Sequence, residues 1–236
     1  GYFSGITRDN DGVGEPILTS TKPVLYEVDM ESGAPRKIGA RSEDGIYRSW
    51  ALGPDGTVSA RLDYISKSGS WAIRNGAGEK IASGISKLAG ADLVALGNGG
   101  DTLIYSQSDD DDGEVHWFEL PLAGGEAKEI LTDVGVEQAY IDRRSRRFIG
   151  YALTGDMPAY RFLDAHQQKV VNATLKAFPG LAVTLIDWND AFDALIVKTE
   201  GGDDPQSWWL VDIKTGRATP LGQSDLGPKV LIADPS

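Results

Sequence analysis

Aromatic residues recur along this chain with a period of about 45 residues, and each begins a short apolar segment followed by a turn and a second short segment. The spacings between the five aromatic residues are 45, 46, 43 and 49 residues, and the residues are Tyr26, Trp71, Trp117, Tyr160 and Trp209. A second marker keeps the same period, because turn sequences fall at 54–56, 99–101, 144–146 and 190–193. A period of roughly 40–50 residues indicates a repeated supersecondary unit.

The segments between these turns have the pattern of β-strands. Residues 57–64, 102–106 and 194–199 are short runs rich in β-branched and aromatic residues, bounded by Gly, Asp, Asn and Pro. Only residues 164–177 have helical spacing, with Asp164 as the N-cap and Pro179-Gly180 as the stop. An apolar face is expected there from Val170, Val171, Thr174, Leu175 and Phe178.

We therefore predict an all-β chain: a β-propeller fragment of about four to five four-stranded blades, with one helix inserted near 164–178. Residues 1–236 would form a single propeller domain or part of one. A β-sandwich also has regularly spaced strands, but it would not explain a sequence repeat with this period. The approximate blades are 1–44 (partial), 45–90, 91–136, 137–180 and 181–222, followed by a C-terminal tail at 223–236.

Charge and composition exclude several functional classes. The 236 residues carry a net charge of −12, and such a surface repels phosphate backbones, which argues against nucleic-acid binding. We interpret the one basic cluster, at 143–147, as a hairpin tip. The chain has no Cys and two His, which excludes thiolate and multi-histidine metal sites. No apolar run is long enough to span a membrane.

No catalytic, cofactor-binding or metal-binding residue is assigned from the sequence, and no cofactor is expected. A Gly-x-Ser-x-Gly elbow is absent. We interpret His116 as a packed or edge residue of a strand, and His166 as a surface residue in the first turn of the helix. The acidic run at 109–114 lacks the ligand spacing of a calcium loop and fits a solvated hairpin tip.

Three arginines on otherwise apolar strands are candidates for a cavity-facing set. Arg48, Arg61 and Arg161 could face a central cavity, but ion pairs with Asp63 or Glu27 are the expected role. Carboxylates that would suggest a propeller glycosidase or lactonase do not recur at one shared blade position; those near blade strands are Asp63, Asp142 and Asp187.

Several segments resemble propellers of the prolyl oligopeptidase (S9) family of serine peptidases, in particular bacterial dipeptidyl- and acylaminoacyl-peptidase-like members. The most specific segment is Phe-Leu-Asp-Ala-His-Gln-Gln at 162–168, continuing to Lys-Ala-Phe-Pro-Gly at 176–180. The other matching segments are Tyr-Glu-Val-Asp-Met-Glu-Ser-Gly at 26–33, Ala-Arg-Leu-Asp-Tyr at 60–64, Trp-Trp-Leu-Val-Asp at 208–212, and the stretches 187–190 and 201–205.

The resemblance implies a two-domain enzyme, in which a propeller caps an α/β-hydrolase domain bearing Ser, His and Asp and filters substrates by size. This chain alone would then be non-catalytic, and its parent would be a serine peptidase. The implied partners are the hydrolase domain of the same parent chain, expected beyond the 223–236 tail, and a peptide substrate. Both chain ends are expected to be truncated.

One alternative from a different class stays open. A stand-alone propeller would serve as a protein- or glycan-binding scaffold. The sequence also leaves open the cleavage specificity, the exo-, oligo- or isopeptidase character of the parent, the total blade number, the oligomeric state and the compartment.

Overall fold

The computed structural model describes residues 1–6, 9–10, 16–17, 22–39, 42–87, 90–155, 157–202 and 204–224, with only the backbone of 9–10 and 16–17. Most of the predicted 223–236 tail therefore lies outside the described residues. The chain divides into two compact units, and they are described separately. Unit 1 comprises 1–133 and 141–148, and unit 2 comprises 134–140 and 149–236.

Unit 1 contains two complete four-stranded antiparallel sheets, each built from consecutive strands. The strands of the first sheet are β6 (Ile46–Leu52), β7 (Val58–Ile65), β8 (Ser70–Asn75) and β9 (Lys80–Ile85). Those of the second are β10 (Ala91–Leu96), β11 (Thr102–Ser108), β12 (Val115–Pro121) and β13 (Lys128–Ile130). These meanders have the strand number and connectivity predicted for propeller blades.

The N-terminal part of unit 1 contains a smaller, three-stranded sheet with the order β1-β4-β5 and a separate two-stranded hairpin. In this sheet Tyr26 pairs with Phe3 on one side and with Lys37 on the other. The strands are β1 (Tyr2–Gly5), β4 (Val24–Val28) and β5 (Pro35–Lys37), and the hairpin is formed by β2 (Asp9–Asn10) and β3 (Pro16–Ile17).

The core of unit 1 lies between the β6–β9 and β10–β13 sheets. Alternate residues of each strand point into it, as the two-residue period of a strand requires. The central side chains are buried, and the aromatic pair Trp71 and Tyr105 connects the sheets with ring centroids 6.0 Å apart. The buried set includes Ala60, Leu62, Ile73, Leu103 and Leu120.

Unit 2 contains a three-stranded sheet, the single described helix and a four-stranded sheet. The first sheet has β14 (Val136–Ile141), β15 (Phe148–Leu153) and β16 (Ala159–Phe162), followed by α1 (Ala165–Lys176). The second has β17 (Ala182–Trp188), β18 (Ala194–Gly201), β19 (Asp204–Asp212) and β20 (Arg217–Gln223). The turn at 141–148 between β14 and β15 belongs to unit 1, where the Leu96 amide donates to the Arg146 carbonyl at 3.0 Å.

The helix is the one that the sequence predicts. Asp164 is its N-cap, and its carboxylate accepts the Gln167 amide at 2.9 Å. Val170, Val171 and Thr174 are buried, together with Phe178 just beyond the helix. They pack into the core of unit 2 with residues of both sheets, including Tyr140, Phe162, Val183, Leu195 and Val197.

The helix follows a sheet of three strands. In the described structure α1 follows the third strand of its sheet, where the other complete sheets have a fourth strand. Its Gln168 side chain accepts the Phe162 amide at 2.7 Å. The outward Phe162 amide is therefore satisfied by a helix side chain instead of a neighbouring strand.

The fifth aromatic marker also shifts by one position. Directly opposed residues of an antiparallel pair share one face of the sheet. Trp209 lies opposite Val197, which belongs to the core shared with the β14–β16 sheet, whereas Trp208 lies opposite Lys198 on the other face.

The earlier aromatic markers face residues that come later in the chain. Trp71 contacts Tyr105, Trp117 contacts Phe148, and the Tyr160 hydroxyl donates to the Val183 carbonyl. The residue of the last sheet that lies on the same face as these markers is therefore Trp208, 48 residues after Tyr160.

Candidate functional site

Two of the three arginines that are candidates for a cavity-facing set, Arg48 and Arg61, lie in the predicted ion pairs with Asp63. Arg48 donates from Nη2 to Oδ2 of Asp63 at 3.0 Å, and the exposed fractions of these side chains are 11% and 17%. Arg61 Nε lies 3.7 Å from the same carboxylate. The Arg161 guanidinium donates instead to the Tyr160 carbonyl at 3.1 Å. Glu27 pairs with Arg36.

Neither histidine is placed beside a nucleophile by the described contacts. His116 lies on β12, and its Nδ1 is 2.9 Å from Oε1 of Glu129 on β13. This hydrogen bond with the carboxylate raises the pKa of the imidazole, outweighing partial desolvation. His166 is the second residue of α1 and is exposed, so the predicted surface position is confirmed.

The two charged runs are both hairpin turns, as predicted. The acidic run connects β11 and β12, with the Asp111 amide donating to Asp109 at 2.7 Å. Asp110 reaches back to the end of β9, where its carboxylate accepts the Ser86 hydroxyl at 2.6 Å and the Lys87 amide at 2.8 Å. Within the described part of the chain, no three His, Asp or Glu side chains form a metal-binding cluster.

A concave site lies in unit 2, at the end of the sheets where β14 and β17 begin. It is a groove of about 810 Å³ between the β14–β16 and β17–β20 sheets. Binding sites for small ligands commonly have volumes of about 300–1,000 Å³. We call it the unit 2 groove. Its lining residues are Glu137, Gln138, Tyr140, Ala152, Leu153, Thr154, Gly155, Met157, Pro158, Tyr160, Gly180, Ala182, Thr184, Glu200 and Gly201.

Two buried tyrosines form the inner end of the unit 2 groove. Tyr140 and Tyr160 are each 3% exposed, and their ring centroids lie 5.8 Å apart. The Tyr160 hydroxyl donates to the Val183 carbonyl at 2.7 Å and accepts the Leu185 amide at 3.2 Å, while the Tyr140 hydroxyl donates to the Leu185 carbonyl at 3.4 Å. The hydroxyls thus bind the backbone of β17, and the rings belong to the core of unit 2.

Burial controls the ionisation of these tyrosines. Desolvation raises the pKa of both phenols, because the charged phenolate is disfavoured away from water. Both groups therefore remain neutral hydrogen-bond donors throughout the physiological range. Their hydrogen bonds hold β17 against the neighbouring sheet.

Small residues keep the unit 2 groove open. Ala152, Gly155, Gly180, Ala182 and Gly201 all line it, so no large side chain fills the space between the sheets. Gly180 and Gly201 have φ values of +79° and +117°, a backbone region that favours glycine. The turn geometry and the open volume are therefore provided by the same residues.

The rim of the unit 2 groove carries negative charge. Glu137 and Glu200 are exposed, and neither lysine nor arginine occurs among the described lining residues. Lys198 lies outside the lining and is 3.4 Å from Glu200, whose side chain remains 53% exposed. Gln138, Thr154 and Thr184 add neutral hydrogen-bonding groups. The site can thus hold a positively charged group beside an aliphatic surface.

A hydrogen-bonded hairpin supports the Glu200 side of the unit 2 groove. The buried Thr199 hydroxyl donates to Asp204 and accepts the Trp209 indole N–H at 2.9 Å. Asp204 also accepts the amide and hydroxyl of Ser207 at 2.9 and 2.7 Å. Desolvation opposes ionisation of Asp204, but the hydrogen bonds from Thr199 and Ser207 outweigh it and lower the pKa of this carboxyl.

Sequence reasoning did not identify the unit 2 groove. Its residues come from four separated segments, and its glycines have the sequence pattern of ordinary turns. The useful signal is the pair of aromatic residues Tyr140 and Tyr160 followed by the small residues Gly180 and Ala182, but nothing in the sequence places these segments side by side.

Comparison with known proteins supports the fold. No protein-family model and no curated protein matches the chain. The structure is similar to TolB from Acinetobacter baumannii, with a TM-score of 0.51 and 17% identity over 96% of this chain and 54% of that one. It is also similar to a prolyl endopeptidase, with a TM-score of 0.50 and 13% identity over 96% of this chain and 35% of that one.

The all-β prediction is thus confirmed, and the chain is a β-propeller fragment. It spans about half the length of the TolB chain and about a third of the prolyl endopeptidase. In the described part of the chain no helix has the length and apolar character needed to cross a membrane.

Proposed function

We propose that this chain is a non-catalytic part of the propeller of a prolyl oligopeptidase-type serine peptidase. In this proposal it caps the active site and admits or positions short peptides for hydrolysis by an α/β-hydrolase domain of the same parent protein. Positioning a substrate contributes to catalysis by lowering the entropic cost of reaching the transition state.

The observation that carries the proposal is the propeller fold together with the motif around α1. The fold is similar over 96% of this chain to that of a prolyl endopeptidase, one of two studied for the role of inter-domain dynamics in catalysis and specificity. Residues 162–168 and 176–180, which carry the resemblance to this family, form the end of β16, the N-cap and first turn of α1, and the helix stop. The unit 2 groove would be one contact site for the peptide.

The first test is the natural coding sequence around this segment. The expected result is a continuation beyond Ser236 into a Gly-x-Ser-x-Gly elbow followed by an Asp and a His. A coding sequence that begins near Gly1 and stops near Ser236 would overturn the peptidase proposal.

A hydrolysis assay tests the non-catalytic assignment directly. This chain alone, incubated with proline and aminoacyl chromogenic substrates, should give no turnover, because the proposal places Ser, His and Asp of the triad in another domain. Turnover that a serine-directed inhibitor abolishes would contradict the assignment.

The similarity to TolB leaves a second candidate open, a propeller that binds a protein or glycan without a hydrolase partner. Its TM-score of 0.51 is equivalent to that of the prolyl endopeptidase, at 0.50, so fold similarity alone does not separate the two. A coding sequence without a hydrolase domain would favour this scaffold function.

A further inference from the structure

The charge and shape of the unit 2 groove indicate which side chains of a short peptide it would prefer. Among its described lining residues the charged ones are Glu137 and Glu200, and both are acidic. The protein as a whole has a net charge of −12, which attracts cations over long range but does not select a binding position. A local site is needed for that selection.

The interior of the unit 2 groove suits an aliphatic stem. Tyr140 and Tyr160 close one end and are buried, so the apolar surface open to a ligand comes from Leu153, Met157 and Pro158. Met157 is 54% exposed, so apolar surface remains available to a ligand. Long basic side chains bury such a stem against apolar surface while the charged head remains solvated beside a carboxylate.

We propose that the unit 2 groove binds a lysine or arginine side chain of a peptide, with the stem against its apolar surface and the cationic head beside Glu137 and Glu200. This inference rests on the proposed function, since it takes a peptide as the ligand, and it adds a preference for basic residues. Gln138, Thr154 and Thr184 are available for hydrogen bonds to the peptide backbone.

The test compares two peptides by isothermal titration calorimetry with the 236-residue chain. Both have the sequence Ala-Pro-X-Ala-Ala with acetyl and amide caps; X is arginine in one and citrulline, its neutral near-isostere, in the other. The arginine peptide should bind about fivefold more tightly, because an exposed ion pair contributes about 0.2–1 kcal/mol and two carboxylates are present. Glu137→Gln and Glu200→Gln should each reduce that advantage about twofold, and the double variant should abolish it.

The matched control removes the same net charge elsewhere. Glu43 and Glu126 are exposed and do not line the unit 2 groove, so the double variant Glu43→Gln, Glu126→Gln should retain the arginine preference. Thermal unfolding of each variant checks that the fold is intact.

The outcomes separate this inference from the proposed function. Equal affinity for the two peptides would overturn the inference alone, as would an equal loss in the control variant, which would indicate attraction by net charge. Absence of binding by either peptide would overturn the inference and contradict a peptide-positioning role as well. The coding-sequence test of the peptidase assignment is independent of these results.

Discussion

At the scale of single residues, close packing of tryptophan requires a glycine on the adjacent strand. Gly84 of β9 pairs with Trp71 of β8, and a Cβ added at Gly84 would lie 2.6 Å from the indole Cζ2. Trp71 is 4% exposed and held between two sheets, so it has little room to move. The absence of a side chain at Gly84 is therefore a requirement of the core.

Gly84→Ala should destabilise the protein by about 1–3 kcal/mol, the usual cost of overpacking a core. Gly222→Ala is the matched control. Gly222 of β20 also pairs with a tryptophan, Trp208, but an added Cβ would meet no atom within 4 Å. Urea unfolding should show a loss for the first variant and almost none for the second. Equal losses would contradict the packing argument.

The pKa of His116 depends mainly on its hydrogen bond with Glu129. Because the hydrogen bond with Glu129 raises the folded-state pKa of the imidazole above its unfolded value, the pair stabilises the fold at low pH, and this contribution is lost as pH rises through the folded pKa. Glu129→Gln should lower the pKa of His116, measured by NMR titration of the ring protons. The control Glu126→Gln, which changes a residue outside the pair, should leave the titration unchanged.

At the scale of elements, α1 closes the edge of its sheet. Leu163 donates inward to Ile149 on β15, so the neighbouring Phe162 amide points outward from β16. Gln168 of α1 accepts this amide at 2.7 Å, and Arg161 donates to the outward carbonyl of Tyr160. An unpaired strand edge promotes association with other chains, and these side chains block it.

Gln168→Ala should therefore cost about 1 kcal/mol of folding free energy and increase aggregation. The adjacent Gln167 is the control, since its buried Oε1 has no hydrogen-bond partner among the described residues. Gln167→Ala removes an unsatisfied acceptor and introduces the best helix former, so the folding stability of this variant should be unchanged or higher. Chemical unfolding and light scattering measure both effects. A greater loss for Gln167→Ala would contradict this role of Gln168.

At the scale of the whole molecule, the position of a blade in the chain decides how deeply its aromatic marker is buried. Trp71, Trp117 and Tyr160 are at most 9% exposed, and each contacts residues of the strand or sheet that follows. Trp208 occupies the equivalent face of the last described sheet and remains only partly buried, beside Leu210, which is 38% exposed. No further sheet follows it among the described residues.

The two tryptophans should consequently differ in their contribution to stability. Trp71→Ala should cost about 3–5 kcal/mol, as expected for removing a large aromatic side chain from a core. Trp208→Ala should cost about half as much in this chain, because less apolar surface returns to water. Equal losses of folding free energy in denaturant unfolding would contradict the partial exposure of Trp208.

The local features of this protein were predictable from its sequence because short-range physics determines them. Strand alternation, turn residues and the Asp164 cap depend on neighbouring residues, so residues 57–64, 102–106 and 194–199 were recognised as strands and 164–177 as a capped helix. The period of the repeat predicted the propeller blades. The Asp63 ion pairs followed from charged residues on apolar strands.

The tertiary structure decided what depends on segments that are distant in sequence. Which face of a strand meets the neighbouring sheet is determined by register, and a shift of one residue exchanges the faces, so only the structure separated Trp208 from Trp209. The unit 2 groove arises where two sheets diverge, and its small residues are indistinguishable from turn residues until the chain is folded. Local composition determines the elements, whereas the empty space between them exists only after packing.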